Sequence, residues 1–149
     1  MCEGDKKVQS KNEMQIQFTS QSINEGFARV AIGTFVSQLD PTVEELYDIK
    51  TAISEAVTNS IIHAYEEQND KNISIKCSYA GKMVTIEVID EGKGIEDVDS
   101  AMTALYTTSK EEERAGLGFT VMQSMMDELE VFSQPGKGTK VIMKRTLMG

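Results

Sequence analysis

Every second residue is apolar in several short stretches of the chain, and this period predicts β-strands. Met14, Ile16 and Phe18 alternate with polar residues, which predicts a first strand. The same alternation predicts two strands over 73–79 and 83–90, joined by a turn at AGK. The end of the chain is predicted to form a hairpin that turns at PGKG.

Apolar residues at helical spacing predict three helices between these strands. Two pairs, Ser22 with Glu25 and Thr42 with Glu45, have the sequence of a capping box, so the first two helices are expected to begin there. The third helix is expected to open at the sequence AGLGF. The predicted helices cover about 23–39, 43–66 and 115–128.

The order of the predicted elements is β, α, α, β, β, loop, α, β, β. Paired strands with helices between them indicate an α+β fold, a two-layer sandwich with helices on one face of a mixed, mostly antiparallel sheet. Residues 1–11 are polar and unpatterned, which indicates a disordered extension or a tag. Residues 12–149 are expected to form a single domain, because 149 residues with 40% hydrophobic content suffice for one core.

The first helix has apolar residues on both sides. One stripe contains Ile23, Phe27, Val30, Ala31 and Thr34, and the other side holds Glu25, Arg29, Ile32 and Val36. A second partner or deeper burial in its own domain would each explain this pattern. Because an arginine bordered by aliphatic residues suits a protein interface, Arg29 is predicted to bind a partner.

The composition excludes some function classes. The formal net charge is −9, with 24 acidic and 15 basic side chains, and such a surface repels the phosphate backbones of nucleic acids. A small, locally basic nucleotide site is compatible with this charge. The sequence has no signal-length apolar start and no run of about 18 apolar residues, and Cys2 and Cys77 do not suggest a disulfide framework. We therefore expect a cytoplasmic protein without membrane or direct nucleic-acid contact.

Asp90 ends the strand over 83–90 on the same face as its apolar residues. A carboxylate at the mouth of an apolar pocket can accept a hydrogen bond from an exocyclic amine such as that of adenine. Gly92 and Gly94 in the following DEGKG sequence let the backbone approach the base closely. The alternative is an ordinary strand end with an Asp-Gly turn, which this segment alone favours.

The glycine pair in GLG, residues 116–118, precedes an apolar helical stretch. Backbone N–H groups at a helix N-terminus form an anion site, although GLG alone favours a simple loop. The preceding segment suits either a lid over phosphates or a solvated loop. Its hydroxyl and cationic residues are Thr107, Thr108, Ser109, Lys110 and Arg114.

Glu55 and Asn59 are four residues apart, so they share one edge of the second helix. The amide oxygen of Asn59 is a hard neutral ligand suited to Mg²⁺ beside nucleotide phosphates, and Glu55 could accept a proton from an attacking hydroxyl. Alone, the pair would be read as two polar residues at the edge of a helix.

Together these features resemble the GHKL ATP-binding fold, the Bergerat fold of gyrase, MutL and histidine kinases. Glu55 and Asn59 match its N-box, and Asp90 begins its first glycine box. The resemblance implies catalytic roles for Glu55 and Arg114 and an Mg²⁺ ion at Asn59. The ATP-binding residues that it implies are Asn59, Asp90, Gly92, Gly94, Thr108, Ser109, Arg114, Gly116, Leu117, Gly118 and Thr139.

A closer resemblance covers nearly the whole chain from residue 11: the anti-sigma factor serine kinases of the sporulation branch. The matching sequences include NEGFARV, QLDPT, SEAVTNSIIHAYEE, DEGKGI and GLGF. The family implies ATP or ADP and Mg²⁺ as cofactors, a sigma factor of the sigma-F type and an anti-anti-sigma factor as partners, and a homodimer. Residues 1–10 have no counterpart in the family, and the lid reads TTSK where the family has Lys before Pro.

The implied reaction is phosphoryl transfer from ATP to a protein serine. Glu55 would take the proton of the serine, and Arg114 would neutralise charge that develops on the γ-phosphate. The family also implies that the region around Arg29 contacts sigma factor and antagonist. The second hypothesis is a nucleotide-gated sigma-binding module of the general-stress branch, and the third is ATP hydrolysis alone.

Overall fold

The structure of the protein, a computed structural model, describes residues 11–102 and 110–148, without the side chains of 110–115. The predicted α+β class is confirmed. The strands are β1 (Lys11–Thr19), β2 (Asn72–Ala80), β3 (Met83–Asp90), β4 (Glu128–Ser133) and β5 (Thr139–Thr146). The helices are α1 (Asn24–Val36), α2 (Val43–Asn59), α3 (Val98–Ala101) and α4 (Lys110–Met125).

The five strands form one open sheet in the order β1-β2-β3-β5-β4, and every strand pair in it is antiparallel. Val84, Ile86 and Val88 of β3 are buried on the face that packs against the helices. Asp90 continues this face at the end of β3, where it lies between Ile73 of β2 and Thr139 of β5. The period of two thus directs a carboxylate toward the helix layer.

Helix α2 begins as predicted. The Glu45 N–H donates to Thr42 Oγ1 at 3.0 Å, and the Thr42 N–H donates to Glu45 Oε1 at 2.9 Å, which forms the capping box. After Asn59 the helix widens into a π turn over Ser60–Ala64, in which the Tyr65 N–H donates to Ser60 O at 3.0 Å. π turns are rare in proteins, and those that occur are often found at functional sites.

Helix α1 buries the side that the sequence analysis assigned to a partner. Ile32 and Val36 are fully buried, whereas Ile23, Phe27 and Val30 are 81%, 55% and 57% exposed. The expectation that Ile32 and Val36 border an interface at Arg29 is therefore wrong. The physical reason is that the buried side of α1 also carries Ala28 and Gly33, whose small size lets α1 lie close against α2.

The start of α1 also differs from the prediction. No side chain caps the helix at Ile23, and the Glu25 carboxylate instead accepts a hydrogen bond from Ser54 Oγ of α2 at 2.6 Å. The predicted capping box of Ser22 and Glu25 is wrong because this contact between helices uses the same carboxylate.

The start of α4 is the third correction. The helix begins at Lys110 rather than at AGLGF, and the short helix α3 was not predicted. The sequence KEEERA that starts α4 consists of residues with high helix propensity, which extends the helix toward its N-terminus.

Among the helices of the described residues, none combines the length and the apolar character needed to cross a membrane. Cys77 is buried without a disulfide, and burial raises the pKa of its thiol to about 12.

Candidate active site

Asp90 is the buried centre of a hydrogen-bond network at the end of β3. Its Oδ1 atom accepts the N–H of Gly92 at 3.0 Å and the N–H of Thr139 at 3.2 Å. Its Oδ2 atom accepts the hydroxyl of Ser60 at 2.9 Å. The side chain of Asp90 is therefore held in one orientation by donors from the glycine loop, β5 and the π turn.

The environment of Asp90 perturbs its protonation. Burial raises the pKa of Asp90, and the hydrogen bonds from Gly92, Ser60 and Thr139 partly oppose this shift. An ionised carboxylate that is removed from water is a strong acceptor, and besides its three donors it has acceptor capacity for a further N–H group. The exocyclic amine of adenine is a donor that such an acceptor could bind.

Glu55 and Asn59 lie half-buried on α2, and Gly118 of α4 packs directly on them. A Cβ atom at Gly118 would lie 3.1 Å from both Glu55 Oε1 and Asn59 Oδ1. The structure therefore brings the N-box pair and the GLG segment of residues 116–118 together. Gly116 and Gly118 are buried, and Leu117 between them is exposed.

The glycine pair does not lie at a helix N-terminus, however. Because α4 begins at Lys110, residues 116–118 lie in its second and third turns, where backbone N–H groups donate within the helix. The prediction of a helix that opens at GLG is wrong in this respect. Gly118 nevertheless lies next to Glu55 and Asn59.

The glycine loop after Asp90 packs on the turn between β4 and β5. Gly94 has φ +76°, and a Cβ atom there would lie 1.9 Å from the carbonyl oxygen of Gln134, so only glycine fits. Ser133 joins the two segments, since its hydroxyl oxygen accepts the N–H of Ile95 at 2.7 Å and lies 2.8 Å from Thr139 Oγ1. Thr139 thus contacts both Asp90 and Ser133.

For the remaining predicted residues, the structure describes the side-chain position of Arg29 only. Thr108, Ser109 and the side chain of Arg114 lie outside the part of the chain that the structure describes. Arg29 lies on α1, where its Nε atom is 3.8 Å from Glu25 Oε2 and its side chain is 44% exposed.

The sequence analysis missed Ser60 and Ser133 as site residues. The sequence analysis gave Ser60 no role in the site, and its position directly after Asn59 was the available signal. Ser133 had no distinguishing signal, because its contacts join segments about 40 residues apart. In the described residues, no group of three or more His, Cys, Asp and Glu side chains could hold a metal ion.

Comparison with known proteins identifies the family. Residues 18–145 match the histidine kinase-like ATPase domain. The chain is 61% identical over 134 residues to the anti-sigma F factor of a Thermoanaerobacter species, covering 90% of this chain and 93% of the relative. It is 56% identical over 138 residues to the anti-sigma F factor of Clostridium novyi, covering 93% of this chain and 96% of the relative.

Two solved structures share the fold. One contains the RsbU and RsbW domains of a Mycobacterium tuberculosis protein, with a TM-score of 0.64, 18% identity and coverage of 91% of this chain. The other is a blue-light activated histidine kinase of Erythrobacter litoralis, with a TM-score of 0.55, 23% identity and 79% coverage. The chain spans 32% and 40% of these two longer chains, so this likeness concerns the fold alone.

Proposed function

The chain belongs to the histidine kinase-like ATPase domain family, among its anti-sigma F factors, and from this premise we propose a specific activity. The protein is an anti-sigma factor that binds a sigma factor of the sigma-F type and keeps it from RNA polymerase. It is also a protein kinase that transfers the γ-phosphoryl group of ATP to a serine of an anti-anti-sigma factor. Both partners would meet it in the cytoplasm.

The observation that carries the nucleotide part is the geometry of Asp90. A buried carboxylate with three donors, on the side of the sheet that faces Glu55 and Asn59, matches an adenine-binding acid in position and chemistry. Gly92 and Gly94 form the adjacent loop, and Thr139 holds the other side of the carboxylate. We assign these residues to the base.

The phosphates are assigned to the other end of the site. Asn59, whose amide oxygen is a suitable hard ligand, would hold Mg²⁺, which supplies charge neutralisation and orientation of the phosphates when bound. Gly118 lies beside Asn59, and Gly116 and Leu117 directly precede it on α4, which supports the assignment of the three residues to the phosphate end together with Thr108, Ser109 and Arg114.

Glu55 is assigned to the proton transfer. Its Oε1 atom lies next to Gly118 at the site, so a serine hydroxyl presented there could give its proton to this carboxylate as the oxygen attacks. Arg114 would neutralise charge on the transferred group, in accordance with phosphoryl transfer that depends mainly on positioning and electrostatics.

The partner surfaces are assigned to α1. The exposed residues Ile23, Phe27 and Val30 form an apolar stripe, and exposed apolar patches frequently mark protein contacts. Arg29 is also on α1, and its side chain is 44% exposed. We assign the α1 region to binding of the sigma factor and the anti-anti-sigma factor and to homodimer contacts.

One experiment tests both activities. The protein is incubated with radiolabelled ATP, Mg²⁺ and a small serine-bearing antagonist protein, with and without the sigma factor, and a Glu55→Gln variant serves as the control. We expect label on the antagonist with the wild-type protein only, and sigma factor captured by both proteins. Capture of sigma factor without any transfer of label would contradict the kinase activity and support the second hypothesis, a nucleotide-gated sigma-binding module.

A further inference from the structure

The hydroxyl of Ser60 contacts the carboxylate that is assigned to the base, and the proposed mechanism gives it no role. Ser60 Oγ lies 2.9 Å from Asp90 Oδ2, and the two residues are only 4% and 5% exposed. The π turn begins at Ser60, so the local widening of the helix is where this hydroxyl reaches β3. A contact this buried affects the binding properties of Asp90 directly.

The direction of this hydrogen bond follows from the chemistry of its partners. An ionised carboxylate has only acceptors, so Ser60 must donate its single proton to Asp90. The Oδ1 atom of Asp90 already accepts the N–H groups of Gly92 and Thr139. Asp90 Oδ2 and Ser60 Oγ therefore have only lone pairs left for a ligand and no proton to donate.

We propose that Ser60 is a specificity-determining residue that makes the base end of the site accept a purine with an amino group at position 6 and reject one with a carbonyl group there. This inference rests on the proposed binding of ATP at Asp90. Ser60 acts in two ways: its donated proton fixes the orientation of the carboxylate, and its oxygen provides a second acceptor beside Oδ2.

The chemistry of the two purine types explains the selection. The 6-amino group of adenine has two N–H donors, which match two neighbouring acceptors. The 6-carbonyl oxygen of hypoxanthine or guanine has only lone pairs, so it would face an anionic acceptor and a hydroxyl oxygen whose proton is already given to Asp90. A site built around such hydrogen bonds rejects the mismatched ligand strongly, because its buried polar groups remain unpaired.

The test compares ATP with inosine triphosphate, which has the carbonyl group at position 6 and lacks the 2-amino group of guanine. Calorimetry with each nucleotide and Mg²⁺ gives the ratio of the two affinities for the wild-type protein, Ser60→Ala and Ser54→Ala. Ser54 is the matched control, because it also lies on α2 and donates to a carboxylate, Glu25 Oε2, at 2.6 Å. Thermal melts are recorded for each protein.

We expect wild-type protein to prefer ATP by well over tenfold. Ser60→Ala should lower this preference by roughly tenfold, as the loss of a hydrogen bond to a charged group predicts, while Ser54→Ala leaves it unchanged. Ser60→Thr retains a hydroxyl group. On a logarithmic scale, its preference for ATP should lie at least halfway from the value of Ser60→Ala to that of the wild-type protein.

The inference is overturned if Ser60→Ala keeps the wild-type ratio or weakens both nucleotides equally, or if Ser60→Thr behaves like Ser60→Ala. A wild-type protein that binds neither nucleotide would instead contradict the proposed function. A wild-type protein that binds both nucleotides equally would contradict the specificity alone.

Discussion

Gly118 of α4 and Glu55 of α2 are packed so closely that a Cβ atom on Gly118 would lie 3.1 Å from the Glu55 Oε1 atom. The same added atom would lie 3.1 Å from Asn59 Oδ1. The absence of a side chain at residue 118 thus leaves room for both polar groups, which are assigned to catalysis and Mg²⁺. This relationship joins two sequence motifs that are about 60 residues apart.

Gly118→Ala should therefore reduce activity without reducing stability. The new methyl group forces Glu55 and Asn59 to shift by a few tenths of an ångström, while alanine favours the helix by about 1 kcal/mol over glycine. We expect phosphoryl transfer to fall at least about tenfold, since such displacement of catalytic groups is costly. Transfer assays and thermal melts measure the two effects.

A matched control for this variant is Gly26→Ala in α1, where the nearest atom to the added Cβ is 3.7 Å away. It should gain helix stability by a similar amount and leave ATP affinity unchanged. Full phosphoryl transfer by Gly118→Ala would show that this contact does not position Glu55.

Glu55→Gln should keep nucleotide binding and abolish phosphoryl transfer. The amide preserves the shape of the side chain but cannot take a proton at neutral pH. Calorimetry with ATP and a transfer assay are compared with Glu44→Gln, which changes an exposed carboxylate on the same helix. Transfer at nearly the wild-type rate would exclude Glu55 as the base.

Asp90→Asn should weaken ATP binding by about 1.5–3 kcal/mol, the strength of a charge-assisted hydrogen bond. Because burial raises the pKa of Asp90, the carboxylate is protonated at a higher pH than an ordinary aspartate. The ATP affinity of the wild-type protein should thus fall as the pH decreases through this raised pKa. Asp90→Asn has no titrating group at this position, so its ATP affinity should not show this part of the pH dependence.

The stability of Asp90→Asn should change in the opposite direction. A carboxyl group with a raised pKa in the folded state contributes stability at low pH that is lost as the pH rises through the folded-state pKa. At neutral pH the variant should therefore melt no lower than the wild-type protein. Equal losses of ATP and GTP binding, or a large drop in melting temperature, would show that Asp90 mainly supports the fold.

Arg29→Glu should leave ATP binding intact and weaken capture of the sigma factor. The change replaces the cation that lies 3.8 Å from Glu25 Oε2 with an anion on α1, so a partner anion that pairs with Arg29 would be repelled. Lys76→Glu is the control. The Lys76 side chain is 43% exposed, nearly the same as Arg29, but it lies on β2 and not on α1. Undiminished pull-down of sigma factor by Arg29→Glu would exclude this contact.

Glu45→Gln should destabilise the fold by about 1–2 kcal/mol through loss of half of its hydrogen bonding. The N–H groups of Thr42 and Met148 donate to its two carboxylate oxygens, and these bonds lower the pKa of Glu45. A lowered pKa adds stability that is present above the unfolded-state pKa and is lost as the pH falls through the folded-state value.

Denaturant unfolding between neutral and acidic pH measures this contribution. Glu45→Gln should show a smaller loss of stability on acidification than the wild-type protein. Glu44→Gln, one residue earlier and exposed, should behave like the wild-type protein. An identical pH dependence in all three proteins would contradict the role of Glu45 in joining the start of α2 to the end of the chain.

Local patterns were sufficient for much of the fold. The strand predicted over 83–90 has the same bounds as β3, and the capping box of Thr42 and Glu45 forms as expected. Ile49, Ile53 and Val57 of α2 are buried at the helical spacing of three to four residues that predicts a helix. In each case the signal and the structure that it specifies involve neighbours within one element.

The sequence by itself determined the five strands, the three long helices and their order, because strand period and helical spacing act over a few residues. Tertiary structure decided which side of α1 is buried, since both sides are apolar and only the close approach of α2 distinguishes them. It also decided that Ser60 reaches Asp90 and that Gly118 lies against Glu55. These pairs are 30 or more residues apart, so their contact depends on how the helices pack on the sheet and not on any local pattern.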